Sequence, residues 1–109
     1  ISSVLLPFHQ QLAEILINNL LNNAIKYTPN SGSIFIEVNE EKMIVANTAS
    51  AQALDAEKIF QRFYKGEQNQ DGIGLGLAIV YEIVRAAGYS INYIFKDEQH
   101  IFMIIFNKK

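Results

Sequence analysis

Asn19-Leu20-Leu21-Asn22-Asn23-Ala24-Ile25-Lys26-Tyr27-Thr28 closes a helical stretch that begins at Phe8. Leu12, Leu16, Leu20 and Ala24 recur at helical spacing, flanked by Ile17 and Leu21, so one stripe of the helix faces a core. The same helix carries Asn18, Asn19, Asn22 and Asn23 in its interior. Asparagine there costs roughly 0.6 kcal/mol relative to alanine, so the set costs the isolated helix about 2 kcal/mol. At about 100° per residue, Asn19, Asn23 and Lys26 share a sector of roughly 60° along one edge of the leucine stripe. Asn18 and Asn22 point further round, towards water. A polar strip at the rim of a core suits a ligand, since amide oxygens can coordinate a hard cation and a lysine can reach a phosphate. The plainer alternative is a solvated helix face, which describes Asn18 and Asn22 well.

Working outward, Thr28-Pro29-Asn30-Ser31-Gly32 stops the helix. Ser33–Val38 alternates, with Ile34, Ile36 and Val38 on one face, and Met43–Asn47 returns after the turn Asn39-Glu40-Glu41-Lys42. Ile1–Leu6 reads as a short strand before Pro7. Asp55–Phe63 reads as a short helix capped by Asp55, and Lys65–Asp71 as a mobile polar loop. Gly74–Ala87 is a second long helix ended by Gly88. Ser90–Lys96 and Gln99–Asn107 form a closing hairpin around Asp97-Glu98. The last strand is apolar almost throughout, the pattern of a strand covered on both faces or covered by helices. This order predicts a two-layer α/β sandwich, with helices packed on one face of a mixed β-sheet.

The second helix is preceded by Asp71-Gly72-Ile73-Gly74-Leu75-Gly76-Leu77, with glycines at alternate positions. Glycine lets backbone N–H groups crowd a ligand without interference from Cβ. A helix N-terminus adds partial positive charge, so the loop suits a di- or triphosphate. It is neither the P-loop nor the dinucleotide fingerprint, because the spacing fails both and no lysine follows.

The 109 residues suit one domain, 1–109, of ordinary apolar content. A formal net charge of −2, with both signs mixed along the chain, leaves no electrostatic footprint for nucleic acid. There is no cysteine, so disulfides and thiolate metal sites are excluded. No apolar run approaches the roughly 20 residues that span a bilayer. The opening Ile1-Ser2-Ser3 lacks an initiator methionine, and the chain is expected to be a fragment of something longer.

Three stretches, in this order, resemble the boxes of sensor histidine kinases. Asn19 to Thr28 resembles their N box, Ile59-Phe60-Gln61-Arg62-Phe63-Tyr64 their F box, and Gly72 to Leu77 their second glycine box. The resemblance covers essentially the whole chain and implies the Bergerat fold, which holds ATP and Mg²⁺ between the first helix, the glycine boxes and a lid. Carried over by position, Asn23 coordinates Mg²⁺, Asn19 lines the phosphate region, and Lys26 and Tyr27 contact phosphates or ribose. Arg62 and Lys65 become lid-side partners of the γ-phosphate. Gly72, Gly74 and Gly76, with the N–H groups of Leu75 and Leu77, cradle the phosphates. Phe60 and Phe63 are expected to anchor the lid by packing rather than to touch ATP. Asn19, Asn23 and Lys26 form the expected catalytic set.

Hydrolysing relatives carry a glutamate four residues before the magnesium asparagine. Here that position is Asn19, which offers no general base. The resemblance therefore implies phosphoryl transfer to a histidine on a separate dimerisation domain, then to a response regulator. The whole protein is expected to be a homodimer, with this part a cytoplasmic domain of an inner-membrane receptor. An anti-sigma-type serine kinase shares the fold, though Lys26-Tyr27-Thr28 and the F box favour the histidine kinases.

The first glycine box departs from its pattern. Where Asp-x-Gly-x-Gly is expected, the chain has Asn47-Thr48-Ala49-Ser50-Ala51. Asn47 keeps an acceptor for the adenine amino group but loses the charge. Alanine at 49 or 51 adds about 1 kcal/mol of strain wherever positive φ is needed. Asn47, Thr48 and Ala49 are expected to bind ATP, with lower affinity than a full box gives. The departure also supports an alternative of another class, a nucleotide-free interaction module that keeps the fold. His100 stands where the family has a threonine near adenine, and a lone histidine at a strand start reads as structural or solvated. His9 lacks the surroundings of a phosphoacceptor.

Overall fold

The computed structural model describes residues 8–49, 58–60 and 76–106. Helix α1 spans Gln10–Tyr27 and helix α2 Gly76–Ala86. The strands are β1 (Ile34–Val38), β2 (Lys42–Thr48), β3 (Ser90–Lys96) and β4 (Gln99–Ile105). They form one sheet in the order β1-β2-β4-β3. Every pairing among these described strands is antiparallel, and with the helices on one face they form the expected two-layer α/β sandwich. The expected strand 1–6 and most of the expected helix 55–63 lie outside the described residues.

Local chemistry explains where the elements begin and end. His9 caps α1, its Nδ1 accepting from the Gln11 amide at 3.3 Å, so the helix starts two residues after Phe8. Thr28 ends it in an extended conformation (φ −95°, ψ 128°), as a residue before proline must. The Thr28 hydroxyl donates back to the Ala24 carbonyl, occupying one of the carbonyls that a helix end leaves over. In the β1–β2 turn, Asn39 Oδ1 accepts from the amides of Glu41 (2.7 Å) and Lys42 (2.9 Å). Gly88 closes α2 at φ 83°: its amide donates to Arg85, and the Tyr89 amide to Val84. These are the paired bonds of a Schellman cap.

Both helices lie on one face of the sheet. Leu16, Leu20 and Ala24 of α1 and Val80, Ile83 and Val84 of α2 pack with Met43 and Val45 of β2 and Phe102 and Ile104 of β4. Burial alternates along β4. His100, Phe102 and Ile104 are buried, while Ile101, Met103 and Ile105 turn to the opposite face and are half-buried. Both described helices thus cover the apolar strand on the same face. Phe60 stacks on Tyr81 of α2 at 5.4 Å and meets Phe102 edge-on at 6.2 Å, so it anchors its segment by packing, as expected. Phe63 lies outside the described residues.

Gly32 joins α1 to the sheet through a narrow gap. A Cβ there would sit 2.8 Å from Thr28 Cγ2 and 2.9 Å from Thr48 Cβ. Gly32→Ala should therefore cost about 1 to 3 kcal/mol, the usual penalty of overpacking, read as a lower urea midpoint.

Candidate functional site

The end of the sheet where β2 finishes and β4 starts is knitted together by short polar contacts. The Thr48 amide donates to the Ser33 carbonyl at 3.0 Å, and the Ser33 amide to Thr48 Oγ1 at 3.1 Å. The Ala49 amide donates to the Glu98 carbonyl at 2.8 Å. That carbonyl belongs to a two-residue turn in which Asp97 (φ 54°) and Glu98 (φ 60°) are both left-handed. Thr48 and Ala49 thus spend their strand-end groups on holding the loop. Ala49 does not have positive φ, so it carries none of the strain that an alanine in the glycine box threatens. Ala51 lies outside the described residues.

Two polar side chains are buried among the described residues, and they face each other. Asn47 (1% exposed) and His100 (4% exposed) are direct partners in the β2–β4 register, on the face that the helices cover. Asn47 Nδ2 donates to the Thr48 carbonyl at 3.1 Å, leaving Oδ1 as the amide's acceptor. His100 Nδ1 lies 2.8 Å from the Tyr93 hydroxyl, and its ring stacks on Tyr93 with centroids 5.9 Å apart. His100 is therefore structural rather than solvated. Burial holds its imidazole below the ordinary value of 6.5.

The asparagine strip lies on α1 as its spacing predicts. Asn18 and Asn22 are exposed, while Asn19 and Asn23 are half-buried. Asn19 Nδ2 donates to the Ile15 carbonyl one turn back, at 2.9 Å. Its Oδ1 lies only 3.1 Å from where a Cβ on Gly76 would stand. The first residue of α2 therefore lies against the polar edge of α1. Lys26 is exposed, its Nζ 5.7 Å from the centre of the half-buried Tyr27 ring. Leu77 packs against the core. Arg62, Lys65, Gly72, Gly74 and Leu75 lie outside the described residues.

Among the described residues no group of three acidic, histidine or cysteine side chains gathers to hold a metal. Neutral amide oxygens such as those of Asn19 and Asn23 fit Mg²⁺ of the kind that keeps waters and takes phosphate oxygens as its main ligands. No described helix is long and apolar enough to cross a membrane.

Residues 9–107 match the model of the histidine kinase-, DNA gyrase B-, and HSP90-like ATPases. The chain belongs to this family. Sensor histidine kinase Hik2 of Synechocystis sp. is 37% identical over 105 residues, covering 84% of this chain and 24% of that protein. Sensor histidine kinase WalK of Bacillus subtilis is 36% identical over 86 residues, covering 69% of this chain and 14% of that protein. The chain thus spans less than a quarter of the length of these relatives. The fold is shared with the mycobacterial sensor histidine kinase MprB, at a TM-score of 0.78 and 20% identity, over 89% of this chain and 72% of that one. The catalytic domain of histidine kinase ThkA, solved nucleotide-free, gives 0.71 and 27% over 89% of this chain and 67% of that one. The three boxes, the relatives and the fold agree on an ATP-binding catalytic domain of the sensor histidine kinase type.

The Gly76 contact separates function from stability. Gly76→Ala should push the Asn19 amide aside and lower nucleotide affinity severalfold. Its melting temperature should hold or rise, because alanine favours a helix by up to about 1 kcal/mol over glycine. Titration and thermal unfolding of the same variant read the two effects.

His100 makes stability depend on pH. Below about 6.5 the unfolded chain takes up a proton at this residue that the folded chain resists. The stability from a neutral His100 is complete above that pH and is lost as pH falls from there towards the folded pKa. The urea midpoint should thus be lower at pH 5.5 than at 7.5, and the difference should shrink in His100→Gln.

Proposed function

We propose that this domain binds ATP with Mg²⁺ and presents the γ-phosphoryl group to a histidine on a separate dimerisation and phosphoacceptor domain. The observation that carries the proposal is the meeting of Asn19 with Gly76. One polar helix edge and one glycine-opened helix start meet, so a polyphosphate lying across their junction would touch amide oxygens of α1 and backbone N–H groups at the start of α2. Asn23, one turn further along α1, would hold Mg²⁺, and Lys26 at its end would reach the phosphates. Asn47, Thr48 and Ala49 would receive the base, with Tyr27 at the ribose or phosphates. Arg62, Lys65, Gly72, Gly74, Leu75 and Leu77 complete the set that the resemblance implies.

Transfer requires the bond between the γ-phosphorus and the β,γ-bridging oxygen to break as an imidazole nitrogen of the acceptor histidine bonds phosphorus. ADP leaves with the electron pair. Such a transition state is loose, so the domain's work is positioning and charge stabilisation. Mg²⁺, held by Asn23, would supply positive charge that neutralises the phosphates. Asn19 cannot take a proton from water, so ATP should last until an acceptor arrives. In this reading 1–109 is a catalytic module of a homodimeric, inner-membrane receptor whose cytoplasmic part passes phosphoryl groups to a response regulator. The conformation of Ala49 weakens one argument for a nucleotide-free module, since alanine fits there without left-handed strain.

Calorimetric titration with ADP and with a non-hydrolysable ATP analogue, with and without Mg²⁺, tests the proposal. Binding should fall in the micromolar-to-millimolar range, depend on Mg²⁺ and collapse in Asn23→Ala. A folded domain that ignores millimolar nucleotide would instead be the interaction module.

A further inference from the structure

We propose that Tyr81 is a positioning residue for the γ-phosphate: by stacking on Phe60 it fixes the approach of the chain to Arg62. The inference rests on the nucleotide-binding reading above and adds to it a residue that none of the three boxes contains. Docking of α2 on the sheet is the work of Val80, Ile83 and Val84, which are buried in the core. Tyr81 is half-buried and gives its ring to a different partner. Phe60 lies on it with centroids 5.4 Å apart and planes inclined by 18°, a stacked pair.

Each ring has a second support. Arg85, one turn further along α2, donates from its guanidinium to the Tyr81 hydroxyl at 3.2 Å, and its charge stands 5.6 Å from the centre of the Tyr81 ring. Phe102 of β4 meets Phe60 edge-on at 6.2 Å, and the neighbouring Ile59 is 2% exposed in the core. Phe60 is therefore fixed to α2 and to β4 at once. Arg62 follows two residues later. Two residues of chain span at most about 7 Å, so the stack confines the start of the segment that carries Arg62, whatever course the chain then takes.

Helix α2 thereby serves both ends of 61–75. Its first residue, Gly76, lies against Asn19, and Tyr81 stands five residues on, about 7.5 Å along the helix axis. The chain leaves this helix at Phe60 and returns to it at Gly76. Holding both ends on one rigid element reduces the ordering that binding must still supply. An arginine restricted in this way meets a γ-phosphate at lower entropic cost, whereas ADP has no γ-phosphate and gains nothing from it. Tyr81 acts through Phe60 and does not itself touch the nucleotide.

The test is calorimetric titration of the domain with Mg-ADP and with the Mg²⁺ complex of a non-hydrolysable ATP analogue, in the wild type, Tyr81→Leu and Tyr81→Phe. Tyr81→Leu should lose about fivefold in affinity for the analogue, the worth of an aromatic pair, and less than about twofold for ADP. Tyr81→Phe keeps the ring and should match the wild type with both nucleotides. A folded Tyr81→Leu that weakens both alike, or neither, overturns the proposal, since a purely structural tyrosine has no way to sense the γ-phosphate. Should that variant not fold, ring-to-ring NOEs between Phe60 and Tyr81 in the wild-type complex with the analogue decide. Their persistence supports the stack, and their loss overturns it. Wild-type protein that binds neither nucleotide overturns the nucleotide-binding reading itself, and this proposal with it.

Discussion

The absence of one methyl group at position 76 sets how closely the start of α2 approaches the polar edge of α1. Helix α2 begins against Asn19 of α1 with no room for a side chain larger than hydrogen unless the asparagine amide moves. The apolar stripe of α1 fixes the helix against the sheet, and the stripe of α2 fixes the other helix beside it. With both docked on one face, Asn19 and Asn23 stand at the rim where the core gives way to water. The strip that weakens the isolated helix is held in shape by packing that it does not itself supply.

Much of this architecture was legible in local chemistry. The stop at Tyr27 followed from Pro29, and the bounds of β3 from Gly88 on one side and Asp97-Glu98 on the other. The start of α1 was placed two residues early, because histidine is not among the usual capping residues and His9 does that work here. The exposure of β4 was harder to read. Ile101, Met103 and Ile105 are as apolar as Phe102 and Ile104, so composition carries no mark of which face the helices leave open. That face carries Phe35, which remains 53% exposed on the edge strand β1.

The site divided in the same way. The polar strip announced itself through the cost of asparagine in a helix, and the glycine loop through its spacing. The opposition of Asn47 and His100 had no such signal. It depends on the register between β2 and β4, which 50 residues of chain (49–98) separate in sequence. Tyr93 as the partner of His100 was hidden too, since the pair is diagonal across a hairpin rather than directly opposed.

The strand order has a consequence for how the chain reaches its fold. β4 is central in the sheet yet last in sequence among the described strands, and β2 waits for it with one edge unpaired. A two-stranded hairpin such as β1–β2 is marginal alone, so the nascent chain must carry an apolar α1 and an open β2 edge until β4 arrives. Its longest-range pairing closes at the end, a topology that makes for slow assembly and a vulnerable interval on the ribosome. Lys42 at the start of β2 and Glu37 within β1 put charge on that waiting hairpin, a brake on edge-to-edge association before the sheet is complete.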